Sequence, residues 1–473
     1  MKRGIKSICY FVLVYLCTSC KKLIAIDPPA NTITTTETFA DSANASSAIA
    51  GLYSKMVTDA SFMSLQVTVN CGESADELVP YSPDNFYSNT LLSQYPFVNI
   101  NFWTPAYQYI YQANAILEGV QSSSGLSTSA KNLFLGEARF LRSLYYFYLV
   151  NLFGDVPFIS TIDYKSNASA ARVSKGQIYQ QIISDLKEAQ IFLPYDYSIS
   201  NSDRIRANHW AATALLARVY LYQQQWDSAE VQATSVINNS NLFSLNPNLN
   251  SVFLNYVSGN NEAILQWLIN SQSSTFNATP EGATFIPNEA PNNLPNYYIN
   301  SSLLQAFESG DLRKKSWLDS IVYRGTSYFI PFKYKIGSQL AVPNAIPTEY
   351  VMVLRLAEQF LIRAEARAEE NNITGAISDL NVIRERAGLT DLSPSLSQAQ
   401  ALAAVFQERR IELAAEWGHR WFDLKRAGLV DSVMNIATPL KEQGSVWQSH
   451  QQLYPIPFGE IQDDPNLKQN PGY

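Results

Sequence analysis

Two groups of side chains in this 473-residue chain could do chemistry. The first is a carboxylate pair. Glu408 and Glu412 are four residues apart, so on a helix they share a face with Cβ atoms about 5–6 Å apart. Retaining glycosidases hold their two carboxyl groups about 5–5.5 Å apart, which makes this pair the catalytic candidate. A general acid needs a raised pKa. Arg409, Arg410, Arg420 and Arg426 crowd the same region and would instead keep carboxylates ionised. We therefore expect structural ion pairs tying the last helices to the core, and no catalytic residue.

The second group is suited to binding. Glu73, Asp76 and Glu77 precede Tyr81, Asp84, Asn85, Phe86 and Tyr87, and a later stretch carries Asn292, Asn293, Asn296, Tyr297 and Tyr298. A sugar ring has an apolar C–H face ringed by hydroxyls. A flat tyrosine can cover the face while carboxylates and amides take the hydroxyls. The expected platforms are Tyr81, Tyr87, Tyr297 and Tyr298, with Asp76 and Asn293 as polar partners. Calcium binding by Asp76, Glu77 and Asp84 is an alternative, although they lack the order and the glycine of an EF-hand loop. His209, His419 and His450 stand at no metal-ligand spacing. No nucleophile elbow, phosphate loop or dinucleotide fingerprint occurs. Cys71 has no base nearby and reads as a small buried hydrophobe. No metal or cofactor is expected.

The elements that must hold these groups are helical. Trp103, Tyr107, Ile110 and Asn114 recur at helical spacing and read as core. Residues 133–153 form a helix that turns apolar all round after Leu144, so its second half should be buried. Gly154 and Pro157 punctuate its end. Residues 173–193 predict another helix, stopped by Pro194. Ala217, Ala229, Ala233 and Val236 share their spacing with Ala364, Ala376, Leu380 and Ile383. Small residues twelve apart let two antiparallel helices pack closely, as in tetratricopeptide hairpins. Between the hairpins, residues 238–300 are rich in Asn, Ser and Pro, broken by an apolar strand at 263–268 that carries Trp267 into the core. Residues 71–89 form a second long loop, and long loops on a rigid frame are where function is expected.

The N-terminus adds an address. Lys2, Arg3 and Lys6 precede an apolar run over residues 8–16 and then Cys17-Thr18-Ser19-Cys20. That run suits a secretory leader and is too short to span a bilayer. We expect residues 1–19 to be a lipoprotein signal peptide, Cys20 to carry the lipid and residues 20–37 to form a tether. The globular part then divides into 38–240 and 241–473. With Cys9 and Cys17 removed and Cys20 acylated, Cys71 is left without a disulfide partner. The chain carries 34 basic and 41 acidic side chains, and loss of the basic leader makes it more acidic still. That balance excludes nucleic acid as a partner.

Several motifs together resemble one family. They are Gly136-Glu137-Ala138-Arg139-Phe140-Leu141-Arg142 continuing to Asn151-Leu152-Phe153-Gly154-Asp155-Val156-Pro157, then Leu354-Arg355-Leu356-Ala357-Glu358, Glu408-Arg409-Arg410-Ile411-Glu412-Leu413, Gly418-His419-Arg420-Trp421-Phe422-Asp423-Leu424-Lys425-Arg426, and the ending Asn470-Pro471-Gly472-Tyr473. They look like the SusD/RagB family of outer-membrane nutrient-binding lipoproteins. The resemblance implies a mainly α fold: tetratricopeptide-like hairpins form a superhelical frame around a loop-rich, minor-β binding region. It implies attachment to the outer membrane, on its outer surface, as the lid of a SusC-like TonB-dependent transporter. Lys21 and Lys22 stand where surface-displayed members often carry acidic residues. The implied function is capture of an oligosaccharide for delivery to that transporter. Oligopeptide capture in the RagB manner and a glycoside hydrolase on a helical frame are the alternatives.

Overall fold

The computed structural model describes residues 35–58, 65–269, 275–287 and 294–473. The leader, Cys20, most of the tether and Asn293 lie outside the described residues. Helices make up 54% of the chain and strands 8%, so the frame is mainly α. The principal helices are α1 (Ser42–Thr58), α2 (Val67–Ser74), α3 (Thr104–Ser122), α4 (Thr128–Phe153), α5 (Lys175–Phe192), α6 (His209–Tyr222) and α7 (Trp226–Ile237). After the loop-rich middle come α8 (Leu356–Glu369), α9 (Ile373–Arg386), α10 (Gln398–Glu412), α11 (His419–Arg426) and α12 (Val430–Lys441).

Local chemistry sets the ends of these helices. The Ser127 hydroxyl accepts from Ala130 N at the start of α4, satisfying a donor that has no partner inside the helix. Gly154, at φ 75°, closes it, and every residue from Leu144 to Phe153 is buried. Ser174 and Gln177 form a reciprocal capping box at the start of α5. The two small-residue seams are present. Ala217, Ala229 and Ala233 on α6 and α7, and Ala364 and Ala376 on α8 and α9, are wholly buried. The two hairpins are joined by Arg218 of α6, which holds Glu358 of α8 at 2.6 Å inside the protein.

Short strands fill the middle: β1 (Leu78–Pro80), β2 (Ala263–Trp267), β3 (Tyr297–Ile299), β4 (Leu318–Tyr323), β5 (Thr326–Pro331) and β6 (Val351–Arg355). These strands pair antiparallel, β1 with β3, β2 with β6 and β4 with β5, as do Val156–Pro157 and Arg172–Val173 beyond α4. β2 and β6 are buried throughout and set Trp267 in the main core. The β4–β5 hairpin turns at Arg324 and Gly325, both at positive φ, as a two-residue primed turn requires. The C-terminus is packed down. Asn470 Nδ2 donates to Phe153 O and Tyr454 O, both at 2.9 Å, and Tyr473 donates its hydroxyl to Leu453 O at 2.6 Å.

Candidate functional site

The two aromatic loops meet through a backbone ribbon. β1 pairs with β3 in the register Leu78 to Ile299, Val79 to Tyr298 and Pro80 to Tyr297. The ladder continues at both ends, with Tyr81 N donating to Asn296 O and Asn300 N to Glu77 O, each at 2.8 Å. Paired residues share a face and successive residues alternate. Tyr81 and Tyr298 therefore project from one face, together with Asn296. Tyr297 projects from the other with Leu78 and Ile299, which belong to a core cluster that Tyr297 packs against. Tyr81 is 56% exposed. Tyr298 is half-buried, and the ring of Tyr328 from the neighbouring hairpin meets it edge-on at 5.0 Å.

The loop after β1 is built to be stiff. Asp84 accepts from Phe86 N at 2.8 Å and Tyr87 N at 3.0 Å, a side-chain turn that occupies one of its oxygens. Phe86 then plugs into the core against Tyr95, Phe102 and Tyr454. This arrangement buries Tyr87, expected as a platform, to 6% exposure, with Lys441 Nζ 5.3 Å from its ring centre. Burial, with Tyr298 and Glu73 adding to it, pushes the Tyr87 hydroxyl up to about 12.

Asp76, expected as a hydroxyl acceptor, is instead a strut. Its carboxylate is buried and held by Arg410 and Arg420, each at 2.7 Å. The two guanidiniums outweigh desolvation and keep its pKa below the usual carboxylate value. Beside it Glu77 has no such clamp, and burial pushes it up to about 8. Tyr328 was not among the expected residues. It lies thirty positions beyond Tyr298 and arrives through packing of the β4–β5 hairpin, which no local spacing announces.

Glu408 and Glu412 are locked into a buried charge network. Arg313 bonds both, reaching Glu412 at 3.0 Å. Arg355 holds Glu412 at 2.6 Å, Glu416 at 2.9 Å and Glu262 at 3.1 Å, and Arg386 joins Glu262 to Glu412. Three guanidiniums hold Glu412 well below the usual carboxylate range despite its burial. At Glu408 burial wins over Arg313 and the pKa is raised. The arginines expected as partners pair elsewhere: Arg409 and Arg426 with Asp423 and Glu365, Arg410 and Arg420 with Asp76. Arg313, Arg355 and Arg386 take their place because β6, α9 and the segment before β4 all converge on α10. Cys71 is fully buried and its thiol is pushed up to about 12. Among the described residues no group of His, Cys, Asp and Glu is placed to hold a metal ion.

Residues 312–473 match the SusD family, and residues 28–221 match a family described as "Starch-binding associating with outer membrane". A SusD-like protein of Formosa agariphila is 27% identical over 97% of each chain. The starch-binding protein SusD of Bacteroides thetaiotaomicron is 22% identical over 77% of this chain and 76% of its own. A SusD-like protein of Bacteroides fragilis has the same fold, with a TM-score of 0.78, 21% identity and coverage of 92% of this chain and 98% of that one. A laminarin-binding SusD-like protein superposes with a TM-score of 0.74 at 24% identity, over 91% and 99% of the two chains. With its helical frame and its terminal motifs in place, the chain belongs to the SusD family.

Proposed function

We propose that this protein captures an oligosaccharide on the platform made by Tyr81 and Tyr298, without breaking it, and passes it to a SusC-like TonB-dependent transporter. One observation carries the reading: the β1–β3 ladder sets two tyrosines from distant loops on one face, with Tyr328 against the second. Planar rings held by backbone bonds lose little freedom when a sugar stacks on them, so binding costs less ordering. The Asn296 side chain, which donates to Thr284 O at 3.3 Å, keeps acceptor capacity for a hydroxyl. The starch-binding and laminarin-binding relatives support carbohydrate as the ligand class.

Attachment through a lipid at Cys20 completes the proposal. Among the described residues no helix is long and apolar enough to cross a membrane. The carboxylates that could have done hydrolysis are in the Arg313–Arg355–Arg386 network, which supports binding without chemistry. The test is calorimetric titration of the chain from residue 20 onward, carrying Cys20→Ala, against oligosaccharide and peptide panels. Each mixture is then analysed for cleavage. Saturable binding of an intact glycan is expected. Binding confined to peptides, or a shortened glycan, would overturn the proposal.

A further inference from the structure

A concavity elsewhere in the fold contains none of the platform residues Tyr81, Tyr298 and Tyr328. It is a cleft of about 670 Å³ between α3, the segment from Pro157 to Ala170, and the turn from Glu460 to Leu467. That volume is within the range of about 300–1,000 Å³ typical of small-ligand sites. Trp103 and Tyr107 form its base, 5.0 Å apart between ring centres. Tyr107 is fixed because its hydroxyl donates to Pro157 O at 2.8 Å. This pair, expected purely as core, therefore also faces the cleft.

Two more exposed rings line it, and Lys165 Nζ stands 6.0 Å from the centre of the Tyr164 ring. Tyr111 is 47% exposed and Tyr164 is 72% exposed. Tyr164 begins a short turn that Asp163 caps through Lys165 N, 3.1 Å away, so a large aromatic is held out into solvent by defined backbone. Gln108 and Gln112 also line it, have no hydrogen-bond partner among the described residues, and offer both donors and acceptors. Glu460, Asp463 and Asp464 line it too, and among the described residues its lining holds no lysine or arginine.

We infer that this cleft is a separate binding site for a neutral saccharide. Aromatic plates cover the C–H faces of sugar rings, and the free amides and carboxylates suit their hydroxyls. Glu460, Asp463 and Asp464 outnumber Lys165 beside Tyr164, and that acidic balance disfavours uronate or sulfated glycans. A run of ring contacts from Tyr95 through Phe86, Phe102, Tyr454 and Phe153 to Trp103 joins the loop behind the ribbon to the base of the cleft.

The experiment is calorimetric titration of the Cys20→Ala chain with neutral and uronate oligosaccharide panels, comparing two double variants. Tyr111→Ala with Tyr164→Ala strips the cleft, and Tyr81→Ala with Tyr298→Ala strips the platform. Tyr111, Tyr164 and Tyr81 are solvent-exposed, and circular dichroism checks that each variant is folded. The inference expects two neutral-glycan binding events, one that weakens at least tenfold only in the cleft variant and one that weakens only in the platform variant. Binding lost only in the platform variant would overturn the second site and leave the proposed function standing. Binding lost only in the cleft variant would support the cleft and overturn the platform. A cleft event with uronates stronger than with neutral glycans would overturn the chemical class, and no saturable binding by any glycan would overturn both readings.

Discussion

Glu412→Gln should be among the most damaging single isosteric changes in this protein. The wild-type carboxylate is completely buried and meets Arg355 at 2.6 Å, Arg313 at 3.0 Å and Arg386. Glutamine keeps the shape and removes the charge, so Arg313, Arg355 and Arg386 each lose a buried carboxylate partner. Breaking a buried ion pair by removing one partner costs about 3–5 kcal/mol, and here three partners are affected at once. The sign with pH follows from the depressed pKa of Glu412. A carboxylate ionised more readily in the folded state contributes stability at pH values above its unfolded pKa, and loses it as pH falls through the folded pKa. The deficit of the variant is therefore full at pH 7, persists at pH 5 and shrinks only in strong acid. Urea unfolding followed by tryptophan fluorescence at pH 7 and 5 measures it. Glu408→Gln is the control: burial already raises its pKa, so neutralising it costs less. Equal midpoints for wild type and Glu412→Gln at pH 7 would refute the network argument.

Further consequences can be checked on the same material. Glu77→Gln should raise the urea midpoint at pH 8, because a buried carboxyl at about 8 costs the folded state stability above the unfolded pKa. The gain should vanish towards pH 4.5. Gly418→Ala places a Cβ 2.7 Å from that of Cys71 at a φ of +68°, and should destabilise by about 2 kcal/mol through overpacking and backbone strain, read as a lower unfolding midpoint. Cys71, buried and pushed up to about 12, should resist iodoacetamide in the native protein at pH 8 and react once urea unfolds it.

The helical frame was legible because its signals are local. Capping residues, Gly154 and the twelve-residue spacing of Ala217 and Ala229 or Ala364 and Ala376 all act within one or two turns. The charge network was half legible. Glu408 and Glu412 read correctly as structural acids, but their arginines come from three other elements, and sequence proximity pointed to Arg409, Arg410, Arg420 and Arg426. The two aromatic loops were legible in composition and opaque in orientation. Tyr81 and Tyr298 share a face only because β1 pairs with a strand more than two hundred residues away, and one step of register would have exchanged Tyr298 for Tyr297. Asp76 looked like a loop acid free to meet a ligand. Its burial depends on Arg410 and Arg420, both more than three hundred residues distant.

The central claim is that the ribbon-held tyrosines bind an intact glycan. Its most direct measurement is the affinity of the Tyr81→Ala, Tyr298→Ala double variant for a glycan whose binding to the Cys20→Ala chain survives Tyr111→Ala with Tyr164→Ala. Loss of stacking on both rings is expected to weaken binding at least tenfold, about 1.4 kcal/mol or more, with the unfolding midpoint little changed. An unaltered affinity in a folded double variant would contradict the account.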